Sequence, residues 1–525
     1  MGTFSFKERK QLMEHLGETK YDVIIVGGGI TGTGIALDCV TRGLKTLLVE
    51  MQDFAAGTSS RSTKLVHGGL RYLKQFEIKM VAEVGKERAI VYENAPHVTH
   101  PEWMLLPIYK KGTFGKVSTS AGLRVYDFLA GVKKNERRKM LTREETLAKE
   151  PLLKKDGLLG SGYYVEYRTD DARLTMEVAK KAFEEGADLL NYTQAEGFLY
   201  EGGKVSGVKV RDVFTNTIYE AAGRKVVNAT GPWVEKMIEK DRKIKGKGLT
   251  HTKGVHIVMD KEKFPLRQAV YFDTPDGRMV FAIPRDGKTY VGTTDTFFNG
   301  DLKNPPITEE DKDYLMSCIR FMFPELGITK DDIESGWAGV RPLIQEKGKG
   351  PSEISRKDEI WVSDTGLITI VGGKLTGYRK MAETATDMLA KQLEQEGIQS
   401  GPCVTRNLRL SGGHFTNPAE YEKSIDERSR KLREIGLRQE EARTIAAVYG
   451  TNADMVASMK EKVLPDEELP LAIKLLVHYA VLYEMAMTPE DFFARRTGAS
   501  FFRLNWQKKW EDAVTAYMKK LFGNL

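Results

Sequence analysis

Cysteine and long apolar runs are scarce in this 525-residue sequence. The three cysteines, Cys39, Cys318 and Cys403, are far apart and form neither a C-x-x-C pair nor a disulfide framework. We interpret them as buried thiols of a reducing compartment. No uninterrupted apolar run approaches the ~20 residues that a transmembrane helix requires, and the polar N-terminus lacks the apolar core of a signal peptide. The sequence therefore predicts a protein that is soluble or attached to a membrane only peripherally.

A large excess of one charge is also missing, because 80 Lys and Arg face 73 Asp and Glu, a formal net charge of +7. No basic block with interleaved aromatic residues is long enough to indicate nucleic-acid binding. A mildly basic surface suits an anionic small substrate or an anionic membrane, although an ordinary solvated surface explains it equally well. There are no internal repeats, no low-complexity tract and no predicted metal site. The length predicts two or three domains.

A glycine-rich turn follows an apolar run near the N-terminus. The run from 23 to 26 is typical of a buried parallel strand, and Gly27, Gly29 and Gly32 then fall in the G-x-G-x-x-G register. The first glycine permits a tight turn, the second lets the backbone approach a pyrophosphate, and the third lets the next helix lie against the strand. This register predicts a dinucleotide-binding unit.

The residues after the turn complete that unit. A helix is predicted from about Ile30 to Arg42, with its N-terminal N–H groups and positive dipole end directed at the phosphates. A second apolar run, Thr46–Val49, ends at Glu50, 18 residues after Gly32, where a carboxylate accepts hydrogen bonds from ribose hydroxyls. An acid at this position favours FAD or NAD over NADP.

Three further segments are predicted to reach the same cofactor. The hydroxyl-rich loop at 57–63 comes just after the second strand, where either cofactor contact or an ordinary surface loop fits its composition. The segment at 228–233 is a strand-to-turn exit at the carboxyl edge of the sheet. The segment at 371–376 again has the pattern of strand, glycines and helix, with the helix entered at Gly373.

The remaining patterns predict an α/β fold with an inserted antiparallel sheet and a C-terminal helical domain. Short alternating runs between 251 and 291 indicate the antiparallel substrate domain, and 308–323 is an amphipathic helix with Thr308 as its N-cap. Beyond Gly397 the chain is almost wholly helical in pattern and is interpreted as an interaction or oligomerisation domain. Arg495 and Arg496 fit either contact with an anion or partner or a solvated helix face, and the solvated face is the preferred assignment. The predicted division is a cofactor-binding domain at 1–100, 161–250 and 351–397, a substrate or cap segment at 101–160, a substrate domain at 251–350 and a helical domain at 398–525.

The motifs VGGGITGTG, SSRSTKLVHGGLRYL, VNATGPW, GTTDT, AGVRPL and GGKLTGYRK, in this order, resemble those of the FAD-dependent glycerol-3-phosphate dehydrogenases. The resemblance covers roughly residues 20–395, and DFFARRT is similar to the end domain of that family. It implies a Rossmann-like FAD domain of the glutathione-reductase and D-amino-acid-oxidase type with noncovalent FAD. It also implies oxidation of sn-glycerol 3-phosphate to dihydroxyacetone phosphate, with electrons passed to a quinone. To meet that acceptor, the protein would be cytoplasmic and peripheral on the inner face of the cell membrane. A homodimer, formed through the helical domain, is a further expectation.

Five residues within these motifs suit a phosphorylated substrate. A phosphate dianion requires positioned cations, for which Arg supplies a bidentate fork and Lys a point charge. Arg71, Arg341 and Lys374 each lie next to glycine or a turn, and Tyr72 and Thr376 add hydrogen-bonding hydroxyls. Taken singly, each Arg is more simply explained by a surface ion pair, and their joint occurrence in matched motifs favours the substrate role.

Two histidines are candidates for the general base that removes the proton from the C2 hydroxyl. His256 in KGVHIV is the first candidate and His67 in LVHGG the second, whereas covalent attachment of the flavin to His67 is disfavoured by the resemblance. Catalytic roles are thus predicted for His256, His67, Arg341 and Lys374. The residues predicted to contact the cofactor are Gly27, Gly28, Gly29, Gly32, Glu50, Thr58, Ser59, Ser60, Lys64, Leu65, His67, Gly68, Gly69, Thr230, Gly231, Gly372, Gly373, Lys374, Leu375 and Thr376.

Alternative functions remain open at this point. An oxidase of the same fold would use oxygen in place of the quinone. An amino-acid oxidase is less compatible with the excess of Arg and Lys in the site motifs. A non-catalytic flavin-binding sensor would bind FAD without bleaching on substrate, and the clustered histidine and cations argue against it.

Overall fold

The computed structural model describes residues 3–67, 78–110, 112, 115, 119–120, 122–125, 136–241, 248–344, 358–466 and 468–524. Its principal helices are Phe6–Glu14, Ile30–Thr41, Ile78–Asn94, Arg143–Lys149, Asp171–Glu184, Val234–Asp241, Glu309–Met322, Tyr378–Glu394, Pro418–Glu434, Gln439–Tyr449, Ala453–Ser458, Leu471–Tyr483, Ala499–Phe502 and Leu504–Asn524, with a π-helical turn at Asp491–Arg496. Its strands are Lys20–Val26, Thr46–Val49, Leu65–Val66, Thr99–Tyr109, Lys139–Leu141, Leu158–Thr169, Asp188–Leu190, Thr193–Glu201, Lys204–Asp212, Ile218–Asn228, Leu249–Asp260, Ala269–Asp273, Met279–Arg285, Lys288–Gly292, Thr296–Phe297, Ile333–Ile344, Glu359–Val362 and Ile368–Val371.

The first of two sheets, here called the nucleotide sheet, is mostly parallel. Lys20–Val26 lies at its centre, parallel to Thr46–Val49 on one side and to Ile218–Asn228 on the other. The carboxyl ends of these strands therefore lie at one edge, where open α/β sheets bind ligands. The main strand order across this sheet is Glu359–Val362, Ile368–Val371, Ile218–Asn228, Lys20–Val26, Thr46–Val49 and Asp188–Leu190.

Helices Ile30–Thr41, Asp171–Glu184 and Tyr378–Glu394 cover one face of the nucleotide sheet. Ile25, Ile35, Leu48, Val178 and Ala385 belong to one core cluster and are fully buried. The nearly all-apolar strands fit this arrangement, because strands of parallel sheets are covered on both faces. The glycine turn therefore rests on a rigid core.

One strand of the nucleotide sheet changes its pairing partner, and one predicted element differs from the observed one. Strand Ile218–Asn228 pairs antiparallel with Lys204–Asp212 first and parallel with Lys20–Val26 afterwards. The interruption of the apolar pattern marks this change of partner. The helix predicted to be entered at Gly373 begins at Tyr378, because Gly372 and Gly373 have φ of 105° and 117° and so cannot continue a right-handed helix.

The second sheet, here called the substrate sheet, is mostly antiparallel, as predicted from the alternating runs. Leu249–Asp260 pairs with Lys288–Gly292 and with Ile333–Ile344, and helix Glu309–Met322 packs beneath the sheet, its N-cap Thr308 making a capping box with Asp311. The predicted boundary at residue 160 is wrong, because Leu158–Thr169 lies entirely in the substrate sheet, paired with Thr99–Tyr109. The chain crosses between the two sheets more often than composition indicates.

The C-terminal helices pack on the nucleotide domain through buried charges. Asp53 is fully buried; it accepts hydrogen bonds from Arg495 Nε at 2.6 Å and from Arg496 NH1 at 2.7 Å. The assignment of these two arginines to a solvated face is therefore wrong. Nearby, Arg173 pairs with Glu484 across the same interface. A buried charge is strongly unfavourable without a partner, so these pairs hold the two regions together.

Cys39 and Cys318 are buried as predicted, whereas Cys403 is only partly buried. Among the described residues, no helix combines the length and the apolar character needed to cross a bilayer.

Candidate functional site

A cavity of about 880 Å³ is lined by residues of both sheets. It brings together fifteen of the residues predicted from the sequence, which lie far apart along the chain. These residues are Gly27, Gly29, Glu50, Thr58, Ser59, Leu65, His67, Thr230, Gly231, Arg341, Gly372, Gly373, Lys374, Leu375 and Thr376.

The glycine turn has no room for side chains. A Cβ on Gly32 would lie 1.8 Å from the carbonyl oxygen of Gly27, and a Cβ on Gly27, whose φ is 116°, would lie 2.5 Å from the carbonyl oxygen of Ala229. Gly28 and Gly32 do not line the cavity themselves, but their lack of a side chain lets the turn close. The strand, turn and helix therefore form a backbone cradle at one end of the cavity, the nucleotide end.

Glu50 is positioned at this end by the backbone. Its Oε2 accepts from Gly28 N at 2.6 Å, and its Oε1 accepts from Gln52 N at 2.8 Å. Burial raises the pKa of Glu50, and these two N–H groups partly offset that shift. A carboxylate held in this way after the second strand can accept hydrogen bonds from ribose hydroxyls.

The hydroxyl-rich loop lies against the start of the helix. Ser59 Oγ accepts from Ile30 N at 3.0 Å, and Thr58 Oγ1 donates to the carbonyl oxygen of Val340 at 2.6 Å. The loop thus joins the nucleotide turn to the strand that carries Arg341. Ser59 Oγ therefore lies at the N-terminus of the helix, where backbone N–H groups also bind anions.

Arg341 and Lys374 line a further part of the cavity, here called the substrate end after the role predicted for these cations, and each faces an acid. Arg341 NH2 donates to Thr293 Oγ1 at 3.2 Å, while NH1 lies 3.6 Å from Asp295 Oδ1. Lys374 Nζ lies 3.8 Å from Asp358 Oδ2, and Asp358 Oδ1 accepts from Gly373 N at 2.9 Å. Both cations are thus held at the cavity wall by neighbouring groups, as binding of an anion requires.

Thr376 and His67 are joined through the backbone. Thr376 Oγ1 accepts from His67 N at 3.0 Å and donates to His67 O at 3.1 Å. The Thr376 hydroxyl therefore serves to hold the His67 backbone at the wall. The imidazole of His67 lies edge-on to Phe281, with ring centroids 6.0 Å apart.

His256 does not line the cavity. Its side chain is fully buried, stacked on Trp337 with ring centroids 4.8 Å apart, and its Nε2 lies 3.1 Å from Thr63 Oγ1. Burial, with Arg341 and Lys64 as neighbouring charges, holds the pKa of His256 well below its usual range. The first candidate for the base is thus a neutral imidazole placed one layer behind the wall.

Two residues predicted to contact the cofactor are directed elsewhere. Lys64 is buried, with Nζ donating to Asp171 Oδ1 at 2.6 Å and to Ser60 O at 2.9 Å. Ser60 is likewise buried and does not line the cavity. Because a buried ammonium requires a paired acid, the Lys64 side chain serves the packing of this loop, and contact of Lys64 and Ser60 with the cofactor stays a prediction. The predicted residues Gly68, Gly69, Arg71 and Tyr72 lie outside the described residues.

Several lining residues were missed by the sequence reasoning. Thr293 and Asp295 belong to the GTTDT motif, which could have identified them had its residues been considered singly. Trp233 ends the VNATGPW motif and could have been identified in the same way. The others come from segments without a local signal and are Gln194, Lys236, Tyr164, Glu166, Tyr271 and Arg278.

A backbone cradle for a dinucleotide that continues into a wall of cations is the arrangement of a dinucleotide-dependent oxidoreductase. The volume, the glycine turn and Glu50 fit an FAD molecule with its pyrophosphate at the helix N-terminus.

Comparison with known proteins identifies the family. A model of the FAD dependent oxidoreductases matches residues 22–379, and one of the C-terminal domain of alpha-glycerophosphate oxidase matches residues 403–524. The aerobic glycerol-3-phosphate dehydrogenase of Bacillus subtilis (strain 168) is 59% identical over 524 residues, 99% of this chain and 94% of that protein. The chain belongs to the glycerol-3-phosphate dehydrogenases within the FAD-dependent oxidoreductase family, and FAD is its cofactor.

Solved structures agree with this assignment. The X-ray structure of the glycerol-3-phosphate dehydrogenase from Bacillus halodurans complexed with FAD is 48% identical, with a TM-score of 0.85 over 99% of this chain and 94% of that one. The L-alpha-glycerophosphate oxidase from Mycoplasma pneumoniae with FAD bound, 18% identical with a TM-score of 0.57 over 74% of this chain and 98% of that one, shares the fold alone. The predicted α/β fold with a FAD domain and a helical C-terminal domain is therefore confirmed.

Proposed function

We propose that the protein oxidises sn-glycerol 3-phosphate to dihydroxyacetone phosphate and passes the electrons to a quinone, as a step of glycerol catabolism. The observation that carries the proposal is the presence of Arg341 and Lys374 on the wall of the same cavity as the nucleotide turn. A phosphorylated alcohol bound to these cations would lie beside the reactive end of the cofactor. Relatives at 55–59% identity that are named for this activity support the same choice.

The two cations have different tasks in this proposal. Arg341, held by Thr293 and Asp295, contributes a planar guanidinium that suits bidentate donation to phosphate oxygens. Lys374 adds a point charge from the turn that Asp358 holds. Together they orient C2 of the substrate, and orientation of this kind lowers the barrier by avoiding the entropy loss of a random encounter.

The bound FAD supplies the hydride acceptor. The chain itself must take the proton of the C2 hydroxyl, and His256 and His67 remain the two predicted bases. His256 is kept neutral at rest by burial and neighbouring charge, which is the protonation state a base requires. His67 lies on the wall itself.

Anaerobic reduction tests the proposed reaction. The visible spectrum of the purified holoprotein is recorded before and after addition of sn-glycerol 3-phosphate, with glycerol and a D-amino acid as controls. We expect bleaching of the flavin by glycerol 3-phosphate alone. An unchanged flavin spectrum with all three compounds would overturn the dehydrogenase assignment in favour of a flavin-binding sensor.

The acceptor requires a separate experiment. We expect the reduced protein to be reoxidised faster by a short-chain quinone than by air, with little hydrogen peroxide formed. Stoichiometric peroxide under air would make the protein an oxidase.

A quinone acceptor requires contact with the cell membrane, for which a basic surface offers peripheral attachment on the cytoplasmic face. We expect binding to vesicles that contain anionic lipid, weakening as salt is raised because exposed charges are screened. Retention through high-salt washing would contradict a purely electrostatic attachment.

Equilibrium sedimentation tests the proposed homodimer, for which we expect twice the mass of one chain.

A further inference from the structure

His256 is enclosed on both sides by the substrate sheet. In the antiparallel pairing its two neighbours across the strands are Trp337 and Gly292. The indole of Trp337 lies nearly parallel to the imidazole, at 12°, while a Cβ on Gly292 would lie 2.1 Å from the ring. The imidazole therefore has no room to swing, and it cannot reach a substrate in the cavity directly.

Thr63 connects His256 to the lining of the cavity. Thr63 Oγ1 is 3.1 Å from His256 Nε2, and Thr63 lines the cavity. Among the described residues, this hydroxyl is the hydrogen-bond partner of the His256 ring, because Nδ1 has none.

The position of Thr63 is set by the same residues that enclose His256. Tyr290 OH donates to Thr63 O at 3.0 Å, and Trp337 Nε1 donates to Ser62 O at 2.9 Å. Both hydrogen bonds come from strands next to the one that carries His256. The hydroxyl and the imidazole thus form one rigid unit.

We propose that Thr63 is a catalytic residue that relays the substrate proton to His256. The inference rests on the proposed function. As the C2–H electron pair leaves as hydride for the bound FAD, the C2 hydroxyl gives its proton to Thr63 Oγ1, and Thr63 gives its own proton to His256 Nε2. The C2–O bond becomes a carbonyl, Thr63 ends as a neutral hydroxyl, and His256 ends as imidazolium. After the product leaves, the reverse transfers return the proton to water in the cavity.

The surroundings of His256 fit such a temporary charge. Arg341, Lys64 and Tyr290 lie near the ring, and burial together with the two cations lowers the pKa of His256 and so keeps it neutral between turnovers. The face of Trp337 then stabilises the imidazolium by a cation–π interaction. The relay therefore combines an unprotonated base at rest with a means of holding the proton briefly.

Two substitutions of Thr63 separate a relay from a packing role. Thr63→Val keeps the shape and removes the hydroxyl, whereas Thr63→Ser keeps the hydroxyl and removes a methyl group. We expect the rate of anaerobic flavin bleaching by glycerol 3-phosphate to fall about 10²- to 10⁴-fold in T63V, the usual contribution of acid–base catalysis, and less than about tenfold in T63S. FAD affinity and the visible spectrum stay unchanged in both.

A double substitution tests whether the two residues act as one unit. In the T63V background, His256→Gln should slow bleaching little further, because residues of one relay are not additive. Independent, multiplying losses would contradict the relay.

The wild-type protein provides a test that requires no substitution. Flavin reduction is measured across mixtures of H₂O and D₂O, where two moving protons give a curved dependence of the rate on deuterium fraction and one gives a straight line. A straight line, or a T63V protein that bleaches at the wild-type rate, would overturn the relay. Absence of bleaching in the wild type would instead overturn the proposed function, so the two failures are distinguishable.

Discussion

The nucleotide end and the substrate end of the cavity are built in different ways. The nucleotide end consists of backbone atoms from one stretch, in which Gly27, Gly32 and Glu50 lie within a single strand–helix–strand unit. The substrate end consists of side chains, with Arg341 and Lys374 delivered by separate strands and held by acids. The comparison indicates that the nucleotide end tolerates no added atoms, whereas the substrate end is sensitive to charge.

The largest expected effect is a loss of FAD affinity on adding one methyl group at the nucleotide end. In Gly32→Ala the new Cβ would lie 1.8 Å from Gly27 O, so the turn must open. We expect FAD affinity to fall at least about 100-fold, or about 2.7 kcal/mol, in a titration followed by flavin fluorescence. Gly17→Ala, where the nearest atom is 3.6 Å away, is the matched control and should bind FAD normally. Normal FAD affinity in G32A would remove the steric basis of the comparison.

The next effect is expected at the substrate end. Arg341→Gln removes the charge and its ion pair with Asp295, so we expect the loss of transition-state stabilisation for glycerol 3-phosphate to be about 2–4 kcal/mol, a roughly 30- to 1,000-fold fall in kcat/KM. FAD affinity should remain within about twofold, because Arg341 is not part of the glycine turn that forms the cradle. Arg438→Gln, on a side chain that is 83% exposed, is the control. Loss of FAD binding in R341Q would show that the two ends are coupled.

The pH dependence of stability should reveal His256, which lies behind the cavity wall near Arg341. The pKa of His256 is lowered by burial and by Arg341 and Lys64. The free energy of unfolding is therefore unaffected by this group above pH ~6.5 and decreases as pH falls, because the unfolded chain binds a proton at His256 that the folded chain does not bind. Wild type should therefore lose stability more steeply than His256→Gln as pH falls below about 6.5. Urea unfolding of the apoprotein at each pH measures this difference. Parallel curves for the two proteins would contradict the depressed pKa.

The smallest effect is expected from a polar change at the nucleotide end. Glu50→Gln keeps one oxygen for Gly28 N or Gln52 N but loses the second acceptor. We expect FAD to bind more weakly by about 1 kcal/mol, roughly fivefold. Glu220→Gln, on a side chain that is 57% exposed, is the control. A loss as large as that in G32A would mean that side-chain chemistry dominates this end as well.

The same contrast explains what could be predicted from sequence. The glycine register, the helix after it and Glu50 were predictable because their spacing along one short stretch determines their geometry. The family motifs also named Arg341 and Lys374. The burial of Arg495 and Arg496 was not predictable, since their partner Asp53 lies 442 residues earlier than Arg495 in the chain. The enclosed position of His256 depends likewise on pairing with strands that are distant in sequence.

The Asp53 contact also bears on the order in which the protein is made. At about 5–20 residues per second, the ribosome takes roughly 20–90 s to travel from Asp53 to Arg495, 442 residues later. During that interval the carboxylate of Asp53 must stay hydrated, because burying it unpaired is strongly unfavourable. The loop after Glu50 therefore closes only when the last helices arrive. A nascent chain that already contains every predicted nucleotide contact is expected to remain a poor trap for FAD until its final segment emerges.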